Sequence, residues 1–168
     1  LLTRLPIDDT ALSLTAIYRV LAPESPAGDV RKTIKSMKAS NDIATAVFWM
    51  LQNVEHLMNA HNKPWPLIQR LLVDPFGPRT LQLADALAAA SNLCHDGIVF
   101  CEQKLQLCHA ELNPEAFLKG ADLIELGMTP GQAFSKVLAA VRDAQLLGEI
   151  TTPEDARKMA QEIYSSYL

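Results

Sequence analysis

The sequence predicts an all-α fold, and three observations carry that expectation. Leu and Ala dominate a chain that is 49% apolar and only 6% aromatic, a balance that favours helix over sheet. Apolar residues recur at helical spacing in segment after segment. No strand-like alternation bounded by turns appears anywhere. A helical bundle of about eight to nine helices fits into the 168 residues, a length for one domain or two small ones.

The first helix is expected over 8–21, with Leu12, Ala16, Ile17 and Val20 as its inward stripe. Asp8 and Asp9 at its start compensate the helix dipole. Pro23, Pro26 and Gly28 break it. A short basic helix follows over 29–38, with Val30, Ile34 and Met37 inward and Arg31, Lys32, Lys35 and Lys38 outward. Ser40-Asn41-Asp42 reads as the cap of a helix running to about Ala60, whose apolar face is Val47, Met50, Leu51, Val54, Leu57 and Met58. Pro64 and Pro66 precede a short helix holding Leu67, Ile68, Leu71 and Leu72. Asp74-Pro75-Phe76-Gly77-Pro78 is a turn by composition. Two more helices are expected over about 79–91 and 97–110, with a break at 92–97.

The last third is the most clearly punctuated. Residues 120–126 form a short helical turn closed by Gly127. Thr129-Pro130-Gly131-Gln132 sets a cap, a proline at the first helical position and a Gln in the capping-box position. The helix it starts runs to Leu147, where Gly148 ends it. Thr152-Pro153-Glu154-Asp155 repeats the start signal for a final helix to about Tyr167. The division that follows is a helical body over 1–110 and a helical tail over 111–168.

No apolar run reaches the roughly 18–20 residues of a membrane helix, and the first residues lack a signal-peptide pattern, so a soluble, cytoplasmic protein is expected. The chain opens without Met, which reads as a segment of a longer protein. Its net charge of −4 excludes a generally basic coat for nucleic acid. Residues 1–110 carry 10 basic and 10 acidic side chains and 111–168 carry 5 and 9, so attraction to phosphate has to come from local patches. Three cysteines without a secretion signal point to reduced thiols. Nucleophilic catalysis finds no support, for there is no G-x-S-x-G and no Gly-rich phosphate loop. No catalytic residue and no metal ligand is therefore assigned.

Four constellations remain. His95-Asp96, with His56 and His61 upstream and Asp122 and Asp143 downstream, has the order of an HD-type metal phosphohydrolase. That pattern is short, and polar residues are ordinary in an interhelical break. Cys94, Cys101 and Cys108 recur every seven residues, which places them on one helical face as core thiols rather than as a zinc site. The strongest electrostatic feature is the basic helix, where Arg31, Lys32, Lys35 and Lys38 cluster as phosphate contacts require. The helix start at Gly131 offers backbone N–H groups to a second phosphate, with Lys119 before it and Lys136 beyond.

The tail carries Gly120-x-Asp122-Leu123-Ile124, then Leu126-Gly127-x-x-Pro130-Gly131. It continues through Ala144-Gln145-Leu146-x-Gly148-Glu149-Ile150 to Thr151-Thr152 and Glu154-Asp155-Ala156. With these matches, residues 117–160 resemble the C-terminal region of bacterial tRNA nucleotidyltransferases, the CCA-adding and poly(A) polymerase family. Met37-Lys38-Ala39-Ser40-Asn41, Trp49-Met50-Leu51-Gln52-Asn53, and the stretches 67–72 and 81–89 are similar to that family's body helices, more loosely. The resemblance implies an all-helical body and tail that grip the acceptor and TΨC arms of tRNA through its backbone. It also implies a catalytic head upstream in the same chain, which uses Mg2+ to transfer CMP and AMP to tRNA 3′ ends. The head's motifs are not in this sequence, so the segment alone would be inactive. Some relatives carry a His-Asp pair in the first body helix, where Ile17-Tyr18-Arg19 stands here. The expected partner is tRNA, with no membrane. The expected phosphate contacts are Arg31, Lys32, Lys35 and Lys38 in the body, and Lys119, Gly131 and Lys136 in the tail. A helical protein-interaction or dimerisation module is the alternative, and the HD-type phosphohydrolase a third reading.

Overall fold

The computed structural model describes residues 5–6, 8–21, 33–34, 36 and 39–167. Among them stand nine α-helices, one 3-10 turn and no strand, the all-α fold that the composition predicts. No described helix is long and apolar enough to cross a membrane. The chain divides into two compact units, Leu1–Cys108 and His109–Leu168.

The first unit holds α1 (Thr10–Leu21), α2 (Asn41–Met58), the 3-10 turn (Ala60–Asn62), α3 (Trp65–Val73), α4 (Gly77–Ser91) and α5 (Asp96–Leu105). Helix α2 is its centre and packs on α1, α3, α4 and α5. Val47, Met50, Val54 and Leu57 of α2 are fully buried, in one cluster with Leu12, Ile68 and Leu83. The Ser40 hydroxyl accepts from the N–H of Ile43, so α2 starts at the cap that the sequence marks. Asp9 does more than offset a dipole. It accepts from the N–H of Leu12 at 3.0 Å and pairs with Arg79 of α4, also at 3.0 Å.

Several local expectations need correction. The buried stripe of α1 is Ala11, Leu12, Thr15 and Ala16, while Ile17 and Val20 are exposed. At 3.6 residues per turn, Ile17 stands about 140° round the helix from Leu12 and Val20 about 80°. Helix α4 starts at Gly77, inside the predicted turn, with Pro78 in its first turn. The helix expected over 97–110 is two, since α5 ends at Leu105 and α6 begins at His109. Cys101 alone of the three thiols is buried; Cys94 and Cys108 lie outside α5 and are exposed.

Two glycines set the packing of this unit. A methyl group on Gly97 would lie 2.1 Å from the Met58 carbonyl oxygen, and one on Gly77 2.3 Å from that of Leu71. Both neighbours are backbone, which cannot yield as a side chain would.

The second unit holds α6 (His109–Leu112), α7 (Gly120–Glu125), α8 (Gln132–Leu147) and α9 (Pro153–Ser165). Val137 and Val141 of α8 bury against Ala156 and Ala160 of α9, with Leu118, Leu123 and Met128 closing the cluster. Gly127 (φ 81°) and Gly148 (φ 74°) take the left-handed conformation that ends α7 and α8. Thr152 caps α9, accepting from the N–H of Asp155, with Pro153 in the first turn, as the sequence predicts. The matching signal at Thr129 fails. Helix α8 begins at Gln132 with Gly131 as its cap residue, so Thr129 and Pro130 stand ahead of it, and the Thr129 N–H donates to the Tyr164 hydroxyl at 3.1 Å.

Two predictions follow from this packing. Gly97→Ala should lose about 3 kcal/mol of stability in urea unfolding, because the backbone of α2 must move to admit the methyl. A loss under about 1 kcal/mol would mean that α5 can slide freely along α2. Burial, then the charge of Glu102, pushes the Cys101 thiol up to about 11. The unfolded chain gives up that proton first, so the stability it contributes is complete below about pH 9 and is lost as pH rises towards 11. The loss should be about 2–3 kcal/mol, and Cys101→Ala should show a correspondingly flatter profile.

Candidate nucleic-acid interface

The seven predicted phosphate contacts fall into two groups. Arg31, Lys32, Lys35 and Lys38 lie outside the described residues. Of their helix, Thr33, Ile34 and Ser36 are described as helical, and Ile34 is buried as expected. The tail group, Lys119, Gly131 and Lys136, is described in full.

Lys119 precedes α7, whereas Gly131 and Lys136 belong to the start of α8. Gly120, the first residue of α7, packs its Cα side against the ring of Phe134 in the first turn of α8; a methyl there would sit 3.6 Å from the ring edge. Lys119 is the residue just before it, while Lys136, two residues past Phe134, stands about 160° round α8 from that ring. The segment from Asn113 to Phe117 is tied to α8 by Gln145. Its amide oxygen accepts from the Phe117 N–H (3.2 Å) and from Arg142 (2.9 Å), and its amide nitrogen donates to the Glu115 carbonyl (2.7 Å). Arg142 reaches on to the Asn113 side chain at 3.1 Å.

The three positions differ in electrostatic state. The Lys119 ammonium donates to the Glu115 carboxylate at 2.8 Å, with both groups exposed. That hydrogen bond, then the opposite charge, holds the Glu115 carboxyl below the usual range and raises Lys119. The Asp122 carboxylate accepts the backbone N–H of Lys119 at 2.6 Å and adds further negative charge nearby. Lys119 is thus already neutralised locally.

Gly131 is exposed, its backbone is extended, and nothing lies within 4 Å of where a side chain would begin. No side chain caps α8, so the first N–H groups of a sixteen-residue helix are left for solvent or a ligand. The Lys136 ammonium stands 5.5 Å from the centre of the Tyr167 ring. That contact holds the cation without cancelling its charge. An uncapped helix start beside an un-neutralised lysine can take a phosphate group.

His95 faces Asp85 at 3.7 Å and precedes the first turn of α5. Among the described residues no group of three or more His, Cys, Asp or Glu side chains is placed to hold a metal ion. Sequence reasoning does not single out Lys104 or Lys63. The one signal for Lys104 is Phe100 four residues before it, a spacing that puts ring and cation on one helix face, and nothing in the sequence marks Lys63.

No family model, curated protein or solved structure matches the chain.

Gln145→Ala should destabilise the second unit by about 1–2 kcal/mol, since it leaves the Phe117 N–H and the Glu115 carbonyl without their partner. Urea unfolding followed by circular dichroism measures this, and a loss below about 0.5 kcal/mol would show that water replaces the amide fully.

Proposed function

We propose that this chain is a tRNA-binding segment of a tRNA nucleotidyltransferase, holding the acceptor and TΨC arms by their phosphates while a catalytic head elsewhere in the protein acts on the 3′ end. The observation that carries the reading is the start of α8, where no side chain caps the N–H groups, Gly131 is open to solvent and the exposed Lys136 follows in the next turn. The resemblance of 117–160 to that family adds support, because its motif residues have definable structural work. Gly127 and Gly148 end helices in left-handed backbone, Gln145 ties down the entering segment, Leu123 is in the core and Thr152 caps α9. Such residues specify a fold. The functional half of the reading rests on charge.

A helical protein-interaction module is the second reading, favoured by one observation. Val20 and Leu93 are more than half exposed and line, with Met58 and Leu87, a groove of about 360 Å3. Sedimentation at several concentrations, with and without tRNA, distinguishes self-association from RNA binding.

Gly131→Asp separates folding from binding at the proposed site. An aspartate at a helix cap satisfies the free N–H groups, so stability should hold or rise by a few tenths of a kcal/mol. The same carboxylate occupies the place of a phosphate, so affinity for a tRNA minihelix should fall roughly tenfold. Lys136→Ala should weaken binding and make its salt dependence shallower by about one counterion. Unchanged affinity in both variants would refute the assignment of this site.

A further inference from the structure

The first unit carries a cation that the reading above does not use. Trp65 opens α3 and Phe100 lies in α5; their ring centres are 6.3 Å apart at an edge-on 76°. Lys104, one turn beyond Phe100, brings its ammonium to 4.9 Å from the Trp65 ring and 5.5 Å from the Phe100 ring. The close approach at Gly97 fixes where α5 stands against the end of α2, and α5 also packs on the 3-10 turn. Ring and cation are therefore positioned by rigid elements rather than by a loop.

The chain's lysines and arginines are not equally available to an anion. Arg19 pairs with Glu55, Arg79 with Asp9 and Lys119 with Glu115. Among the described residues no ion pair involves Lys104, or Lys63, which is exposed two residues before Trp65. An aromatic face attracts an ammonium through its quadrupole and leaves the net charge in place. It also restricts the long side chain beforehand, so less conformational freedom is lost when an anion arrives. Asp96 shares the α5 face of Phe100 and Lys104, but it lies two turns away from Lys104, about 12 Å along the helix. Glu102 points elsewhere, about 160° round α5 from Lys104.

We infer that Lys104, held over Trp65 and Phe100, forms with Lys63 a second RNA contact, in which the two ammonium groups take backbone phosphates and the exposed part of Trp65 meets the adjoining nucleotide. The inference rests on the tRNA-binding reading and extends it to the first unit. Phosphate contacts of this kind fix register along a backbone and carry no base sequence.

The test uses the full chain and a minihelix of the tRNA acceptor and TΨC arms, followed by fluorescence anisotropy across a salt series. Lys104→Gln and Lys63→Gln should each weaken binding roughly fivefold and make the salt slope shallower by about one, while Lys104→Arg should retain both. In a Trp49→Phe background Trp65 is the sole tryptophan, and its emission should change as the minihelix is added. Lys63 is exposed, so its variant reports on charge even if Lys104→Gln disturbs folding. Full affinity and an unchanged slope in both Gln variants, with Trp65 emission unaltered, would overturn this site. The tRNA reading would still stand if Gly131→Asp then loses affinity. An unmodified chain that fails to bind the minihelix at all would overturn both.

Discussion

The first unit depends on backbone meeting backbone at two glycines. At Gly97 and Gly77 the chain passes so close to the carbonyls of Met58 and Leu71 that no other residue fits without displacing a helix. The contact at Gly97 brings α5 onto the end of α2, and with it Cys101 into the core and Phe100 towards Trp65. The contact at Gly77 starts α4 directly after α3, so that Leu83 and Ala84 reach the apolar side of α2. The second unit has no such contact. It is held by the Gln145 amide and by small residues, Ala156 and Ala160, that let α9 lie close on α8.

How far the fold could be read in advance follows from the range of each determinant. Caps are local: Ser40, Gly148 and Thr152-Pro153 act on residues within one turn, and the sequence places all of them correctly. The start of α8 misleads because the helix begins only at Gln132, with Gly131 as its cap residue, so Thr129 lies too far ahead of it to cap it, while its N–H donates to Tyr164, 35 residues away. The interruption after Leu105 has no glycine or proline to announce it, so one helix was the natural reading of 97–110. Gly77 and Pro78 look like turn residues until the close approach to Leu71 explains the glycine.

The candidate site was legible only as a set of cations. Which of them is neutralised depends on neighbours, and those are partly distant. The Lys119–Glu115 pair, four residues apart, could have been anticipated from spacing alone. The placement of Lys136 over Tyr167 and of Lys104 over Trp65 could not, since 31 and 39 residues separate the partners. The lysines that rest on aromatic rings differ from Lys119 in one respect: the Glu115 carboxylate offsets the charge of Lys119, whereas a ring attracts an ammonium without offsetting it. A chain of net charge −4 can thus still offer discrete positive points to a polyanion, provided that association does not rely on long-range attraction.

The central claim is that the chain binds tRNA through a few such points, and the salt dependence of that binding tests it most directly. The intact chain is titrated with tRNA between about 50 and 200 mM salt, and the logarithm of the association constant is plotted against that of salt concentration. The account predicts measurable binding with a slope of about −2 to −4, as a handful of phosphate contacts requires. Binding too weak to detect at the lowest salt, or a slope near zero, would contradict it.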